Sequence, residues 1–314
     1  MEQLEQDPTV VDVFVAPPRY VLATRRRGGA MSSIGVGALP NRWGTSAINL
    51  DKARQKPGFT DAGSVVVGII DSGLDPKHPD LVGTGVSYTP RTARSRDRSG
   101  HGTHVTGILA AVPSQPSGMA GVCNPVLKVY QSLDPYSPTV YYRSLRDALE
   151  TCDVVNLSLG GPHDPVEEQI IAAYAENTVV VAAMGNEYED GNEPSYPAAI
   201  KGVIAVGAVD EQLRRGQFSN TGPHIALCAP GVRVWSTVPS YKATLAAQVL
   251  YDTWDGTSMA APFVTGVVAL LLAKDPTLVP SQIRGRLKSR HCFGQTSFSE
   301  EFGEGIIDAE ATLR

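Results

Sequence analysis

The chain has 314 residues, 42% of them hydrophobic and 19% charged. That is enough apolar material for one large α/β domain or two smaller ones, and it excludes a largely disordered protein. A formal net charge of −5 argues against non-specific nucleic-acid binding.

Residues 1–7 are acidic rather than signal-like, which points to a cytoplasmic protein, or to a secreted one if an upstream signal has been removed. Residues 8–23 contain one apolar strand, which cannot bury itself alone. Residues 24–41 carry Arg25, Arg26, Arg27, Gly28 and Gly29, then Ser, Gly and Ala, and read as an exposed linker open to cutting. From residue 42 to 314 the pattern becomes short apolar runs alternating with longer helical segments, the mark of βαβ units. Strands are expected at 65–70, 127–130, 154–157, 179–183, 203–206 and 225–227, several apolar on both faces as in a covered sheet. Helices are expected at 101–111, 139–150, 165–176, 257–274 and 281–290, the last preceded by Pro280. The longest apolar run, 264–273, falls short of the ~18 residues of a membrane span. Cys123, Cys152, Cys228 and Cys292 lie far apart with no Cys-x-x-Cys pair, and read as reduced core thiols, two disulfides remaining open for an exported protein. The fold class is α/β, with a mostly parallel central sheet flanked by helices.

Three segments carry chemistry. Val66-Val67-Gly68-Ile69-Ile70-Asp71-Ser72-Gly73 puts a carboxylate at the C-terminal end of a buried strand, where open α/β sheets hold their ligands; a turn or capping Asp is the plain alternative. Ser99-Gly100-His101-Gly102-Thr103-His104 places a histidine between two glycines at the start of an apolar helix. His101 and His104 lack the Glu and the spacing of a His-Glu-x-x-His zinc site, so His104 reads as a packed structural residue. Asp255-Gly256-Thr257-Ser258-Met259-Ala260-Ala261-Pro262 sets a hydroxyl at the start of a helix that is apolar nearly all round, with backbone N–H groups facing it. An N-cap serine is the plain reading of Ser258, and Pro262 is expected to be tolerated in the first turn. In the order Asp, His, Ser the three segments reinforce one another.

With these blocks the chain resembles the subtilisin-like serine proteases, the subtilases, over residues 42–312. Val179-Val180-Val181-Ala182-Ala183-Met184-Gly185-Asn186-Glu187 is similar to the family's oxyanion-asparagine block, and Val154 to Gly161 to its substrate-binding strand. Ser195-Tyr196-Pro197-Ala198, Ala229-Pro230-Gly231 and Gly303 to Asp308 agree as well. The resemblance implies a three-layer subtilisin-like fold and a serine endopeptidase acting on protein or peptide substrates, with no cofactor for the chemistry. It implies Ser258 as nucleophile, His101 as base, Asp71 as its orienting partner and Asn186 as oxyanion donor, with substrate held by Ser158, Leu159, Gly160, Gly185 and Glu187. It makes residues 1–23 a remnant prosegment-like strand, with a propeptide or inhibitor as a potential partner, and it places Asp80 where a calcium ligand is expected, although 113–118 is poor in carboxylates. Pro135 and Pro138 depart from the family's substrate edge and remove two backbone donors. Glu187, Glu189, Asp190 and Glu193 would draw a Lys or Arg just before the cut if they line that pocket; a merely solvated loop is the alternative. A nucleophile-elbow hydrolase, with Asp275 and His291 as partners, is disfavoured, because Ser258 and His291 stand only 33 residues apart, mostly one helix, with no room for the further strands that fold needs. A catalytically silent binding module is the non-enzyme alternative.

Overall fold

The computed structural model describes residues 15–23, 43–84, 86–89 and 96–314. The expected linker at 24–41, and residues 1–14 of the expected prosegment, lie outside the described residues. In chain order the strands are β1 (Tyr20–Val21), β2 (Val66–Asp71), β3 (Ser87–Thr89), β4 (Val126–Gln131), β5 (Val154–Leu157), β6 (Leu159–Gly160) and β7 (Val179–Ala183). They continue as β8 (Ile204–Val209), β9 (Ile225–Pro230), β10 (Val234–Thr237), β11 (Tyr251–Trp254), β12 (Ser289–Arg290) and β13 (Ile306–Ile307).

Nine of these form one sheet in the order β12-β13-β9-β8-β7-β5-β2-β4-β3. Every pairing is parallel except that of the edge strand β12 with β13. β5, β7, β8 and β9 are buried along their whole length, as strands covered on both faces must be. From β2 the chain crosses to the edge strand β3, comes back to β4 between the two, and then crosses to β5, β7, β8 and β9 on the other side. The point where the order reverses, at the C-terminal ends of β2 and β5, is where such sheets leave a crevice.

Side-chain alternation along β5 assigns the two outer layers. Val155 shares a face with Gly68, where any Cβ would meet Ala148 of the helix Pro138–Thr151 and Cys152 just past its end. Asn156 points the other way and accepts a hydrogen bond from Thr265 of the helix Thr257–Lys274. That second helix packs against β5, β7, β8 and β9 and against the helix His101–Ala110. It is long and apolar enough to cross a membrane, but 83% of it is buried inside the fold, so it is the core helix of the domain. The helices Pro165–Tyr174 and Pro138–Thr151 pack together on the opposite face. All four cysteines are buried thiols with no disulfide.

Candidate active site

β2 delivers Asp71 to the crevice and the helix His101–Ala110 delivers His101 beside it. The approach is close enough that Gly102 is obligatory: a Cβ there would sit 2.0 Å from the Gly73 carbonyl oxygen. His101 Nδ1 lies 2.7 Å from Asp71 Oδ1, with both side chains fully buried. The Ser72 amide donates to the same Asp71 oxygen at 2.6 Å, so the carboxylate is fixed before the histidine arrives. His101 Nε2, the nitrogen left for proton transfer, is buried without a partner among the described residues.

A second carboxylate, Asp97, escaped the sequence reading. It accepts from Gly100 N, Thr103 N and Thr103 Oγ1 at the start of the histidine helix, and from Ser72 Oγ after β2. Ser72 Oγ in turn accepts from the Gly102 amide at 2.9 Å. Asp97 thus caps the helix and ties it to the Asp71 loop. Burial pushes its carboxyl above the ordinary range despite the bonds from Thr103, and the charge of Asp71 adds to the rise. The readable signal is an acid four residues before the histidine, a capping pattern.

His104 is the structural residue the sequence suggested. Its ring stacks on Trp254 at 4.5 Å, and burial lowers its pKa to about 3, so it stays neutral. The hairpin β10–β11 that supplies Trp254 was not foreseen. It clamps the same helix through Ser236 Oγ and Thr237 Oγ1, which donate to the carbonyls of His104 and Thr103.

Ser258 is the second residue of its helix, where the amides lack intrahelical acceptors. Pro262 lies beyond the first turn, contrary to expectation, and its missing N–H frees the Ser258 carbonyl. Ser158 Oγ donates to that carbonyl at 2.9 Å, Asn156 Nδ2 donates to Ser158 Oγ, and Thr265 Oγ1 donates to Asn156 Oδ1. The strand β5 and the nucleophile helix are therefore laced together by the gap the proline leaves. Asn186 Oδ1 accepts from Thr257 N at 3.0 Å and Thr257 Oγ1 at 2.8 Å, which turns the amide nitrogen into the free donor end. Asn220, also unforeseen, braces this loop by accepting from Glu187 N and donating to the Glu193 carbonyl.

The described N-terminal segment, residues 15–23, lies along the crevice. Tyr20 pairs antiparallel with Gly160 and Val21 with Leu159. The Leu22 amide donates to Ser258 Oγ at 3.0 Å, and the Leu22 carbonyl accepts from the Ser258 amide at 3.2 Å. Ser258 Oγ donates to the Ser158 carbonyl at 2.9 Å instead of to His101. Gly256 makes room for the crossing chain: a Cβ there would stand 2.2 Å from the Leu22 oxygen, and its φ of 157° already favours glycine.

Ser158, Leu159 and Gly160 are thus brought together with Ser258 against one peptide. Gly185 meets Thr257 and Asn220 rather than the segment. Glu187 spends its carboxylate on Asn186 N and Asn220 Nδ2, and faces Tyr20, whose phenol it helps burial to raise. Glu189, Asp190 and Glu193 are exposed, and an apolar residue, Leu22, stands next to the nucleophile. Pro138 begins the helix Pro138–Thr151, where a missing N–H costs nothing, and Tyr136 donates its hydroxyl to the Pro17 carbonyl at 3.0 Å. The loop that carries Pro135 and Pro138 thus meets the segment through this side chain, while the backbone pairing comes from β6.

Asp80 does not fit a calcium site. Its Oδ1 accepts from Ser114 N and Oγ, and its Oδ2 from Met119 N and Tyr251 Oη. A cation there would face four positive dipole ends. Among the described residues no group of three or more His, Cys, Asp or Glu is gathered for a metal. Burial raises the Asp80 carboxyl, but the bonds from Ser114, Met119 and Tyr251 outweigh it and hold it below its ordinary value. Asp80→Ala is expected to cost about 2–4 kcal/mol by stranding these donors, while a chelator leaves the Tm of the wild type unchanged. A chelator-induced fall in Tm, measured by scanning calorimetry, would show a resident cation instead.

A sequence profile described as the subtilase family matches residues 62–305. The chain is 39% identical over 284 residues to subtilisin DY of Bacillus licheniformis, covering 87% of this chain and 98% of that protein. It is 37% identical over 274 residues to a subtilisin of Bacillus pumilus, covering 83% and 95%. Fervidolysin of Fervidobacterium pennivorans, a keratinolytic enzyme related to subtilisin, superposes with a TM-score of 0.73 at 26% identity, over 95% of this chain and 51% of that one. This chain therefore spans about half the length of fervidolysin. A protease of Pseudoalteromonas arctica gives a TM-score of 0.71 at 26% identity, over 85% and 93%.

Proposed function

The chain belongs to the subtilase family of serine endopeptidases, and we propose that in it Ser258, His101 and Asp71 are the triad and Asn186 the side-chain oxyanion donor. The observation that carries this reading is the Leu22 carbonyl resting on the Ser258 amide while the preceding residues pair with β6. A peptide so placed presents its carbonyl carbon to the nucleophile.

The steps follow from the groups in place. Ser258 Oγ turns from the Ser158 carbonyl to His101 Nε2 and gives up its proton as it attacks the carbonyl carbon. Asp71 holds Nδ1–H and stabilises the imidazolium. The oxyanion takes hydrogen bonds from the Ser258 amide and from Asn186 Nδ2. Collapse breaks the C–N bond, the leaving amine takes the proton from Nε2, and an ester to Ser258 remains. Water, deprotonated by His101, then attacks the ester, and the proton returns to Ser258 Oγ as the acid leaves. No cofactor takes part.

Residues 15–22 fill the cleft as a substrate would, the part of a prosegment that inhibits, in keeping with the prosegment-and-linker division of the first 41 residues. Cutting at Leu22–Ala23 differs from a cut in the Arg-rich linker. The match to bacterial subtilisins favours the secreted alternative and lends nothing to a cytoplasmic location. The full chain, incubated and read by N-terminal sequencing, is expected to start at Ala23, while Ser258→Ala keeps its original start. New starts only within 24–42, or the same cut in Ser258→Ala, would contradict self-processing at this bond.

A further inference from the structure

We propose that the pocket formed by Glu167, Asp164 and Tyr141 is a substrate subsite selective for arginine at the fourth residue before the cut. The inference rests on the reading of residues 19–22 as a bound substrate, with Leu22 as the first residue before the scissile bond and Arg19 as the fourth.

Arg19 is the buried cation of the segment: the residue is 3% exposed and its side chain is fully enclosed. Its Nε donates to Glu167 Oε1 at 3.0 Å and a terminal nitrogen donates to Oε2 at 2.6 Å, a fork on both carboxylate oxygens. The other terminal nitrogen donates to the Pro162 carbonyl at 2.9 Å, and Asp164 Oδ2 stands 3.7 Å away. Only a planar guanidinium fills that set; an ammonium is a point charge and cannot make the fork.

The acids, by contrast, belong to the catalytic domain and are fixed there independently. Asp164 caps the helix Pro165–Tyr174, accepting from Val166 N and Glu167 N, and takes the Tyr142 hydroxyl at 2.7 Å. Glu167 sits in the first turn of that helix and accepts the Tyr141 hydroxyl. Among the described residues no other Lys or Arg pairs with either acid. When the segment leaves, two carboxylates at the far end of the cleft lose their counter-charge, and a substrate carrying arginine at that position restores it. A neutral side chain would bury them unpaired, which is costly. Selectivity therefore lies four residues from the cut, beside Glu167, and not next to the nucleophile beside Glu187.

The test compares chromogenic peptides Arg-Tyr-Val-Leu, citrulline-Tyr-Val-Leu, Lys-Tyr-Val-Leu and Ala-Tyr-Val-Leu on the processed wild type and on Glu167→Gln. Citrulline keeps the shape of arginine and removes its charge. For the wild type, kcat/KM for arginine should exceed that for citrulline and alanine by ~10²-fold or more, as expected of a site built to bind a polar group, with lysine in between. In Glu167→Gln the arginine-to-citrulline ratio should fall to within a few-fold of unity. Ratios within threefold in the wild type overturn the subsite whatever the variant does. So does a full arginine preference retained by a folded Glu167→Gln. Peptides left uncut by an enzyme that a fluorophosphonate labels at Ser258 overturn the subsite and leave the protease assignment standing. Peptides uncut and Ser258 unlabelled mean that the protease reading has failed, and the subsite with it.

Discussion

His101→Ala and Ser258→Ala are each expected to lower kcat on a peptide substrate by ~10⁶-fold, and Asp71→Asn by ~10⁴-fold, magnitudes known from subtilisin itself rather than obtained from this chain. The direction and ordering follow from the geometry. The serine hydroxyl needs a base, and His101 offers one: its Nδ1 is held by Asp71, while its Nε2 is buried without a partner among the described residues. Asp71 acts one bond further away, through the 2.7 Å contact to Nδ1, so its loss costs less. Because the three groups work as one unit, the double variant His101→Ala with Ser258→Ala should be no slower than either single one. Steady-state kinetics, with circular dichroism to show the fold intact, decides it. A folded His101→Ala enzyme of near-normal activity overturns the assignment.

Asn186→Asp is expected to lower kcat by ~10²–10³-fold with little change in KM, again the scale known from subtilisin for losing one oxyanion donor. Asp retains the oxygen that accepts from Thr257 N and Oγ1, so the loop keeps its anchor and only the donor disappears. The donor meets the substrate carbonyl weakly and the oxyanion strongly, which is why kcat and not KM should bear the loss. A variant whose KM rises while kcat holds would place Asn186 in substrate binding instead.

How much of this was legible in the sequence depended on range. β5 and β7 coincide with the strands expected at 154–157 and 179–183, because a strand covered on both faces writes itself as a continuous apolar run. The helix Thr257–Lys274 has its expected bounds for a similar reason. Asp71, His101, Ser258 and Asn186 stood out through their flanking glycines and apolar runs; the structure pairs Asp71 with His101, and Asn186 with Thr257 next to Ser258. Asp97 and Asn220 did not stand out: Asp97 showed no more than a capping pattern, since its tie to the Asp71 loop runs through Ser72, 25 residues away, and Asn220 acts on Glu187, 33 residues away. The hairpin β10–β11 was missed because its strands are four residues each, 13 residues apart and only half apolar. Asp80 looked like a metal ligand because a sequence shows a carboxylate and hides the four donors that satisfy it. Arg19 was unreadable for the opposite reason: its significance comes from Glu167, 148 residues away, and from the register of a two-residue strand.

The central claim, that Ser258 is a nucleophile activated by His101, is tested most directly by fluorophosphonate labelling followed by peptide mapping. The wild-type protein is expected to carry the label on Ser258 alone, and the folded His101→Ala protein to carry none. A folded wild type left unlabelled by saturating probe, or one labelled equally with His101 removed, would contradict it.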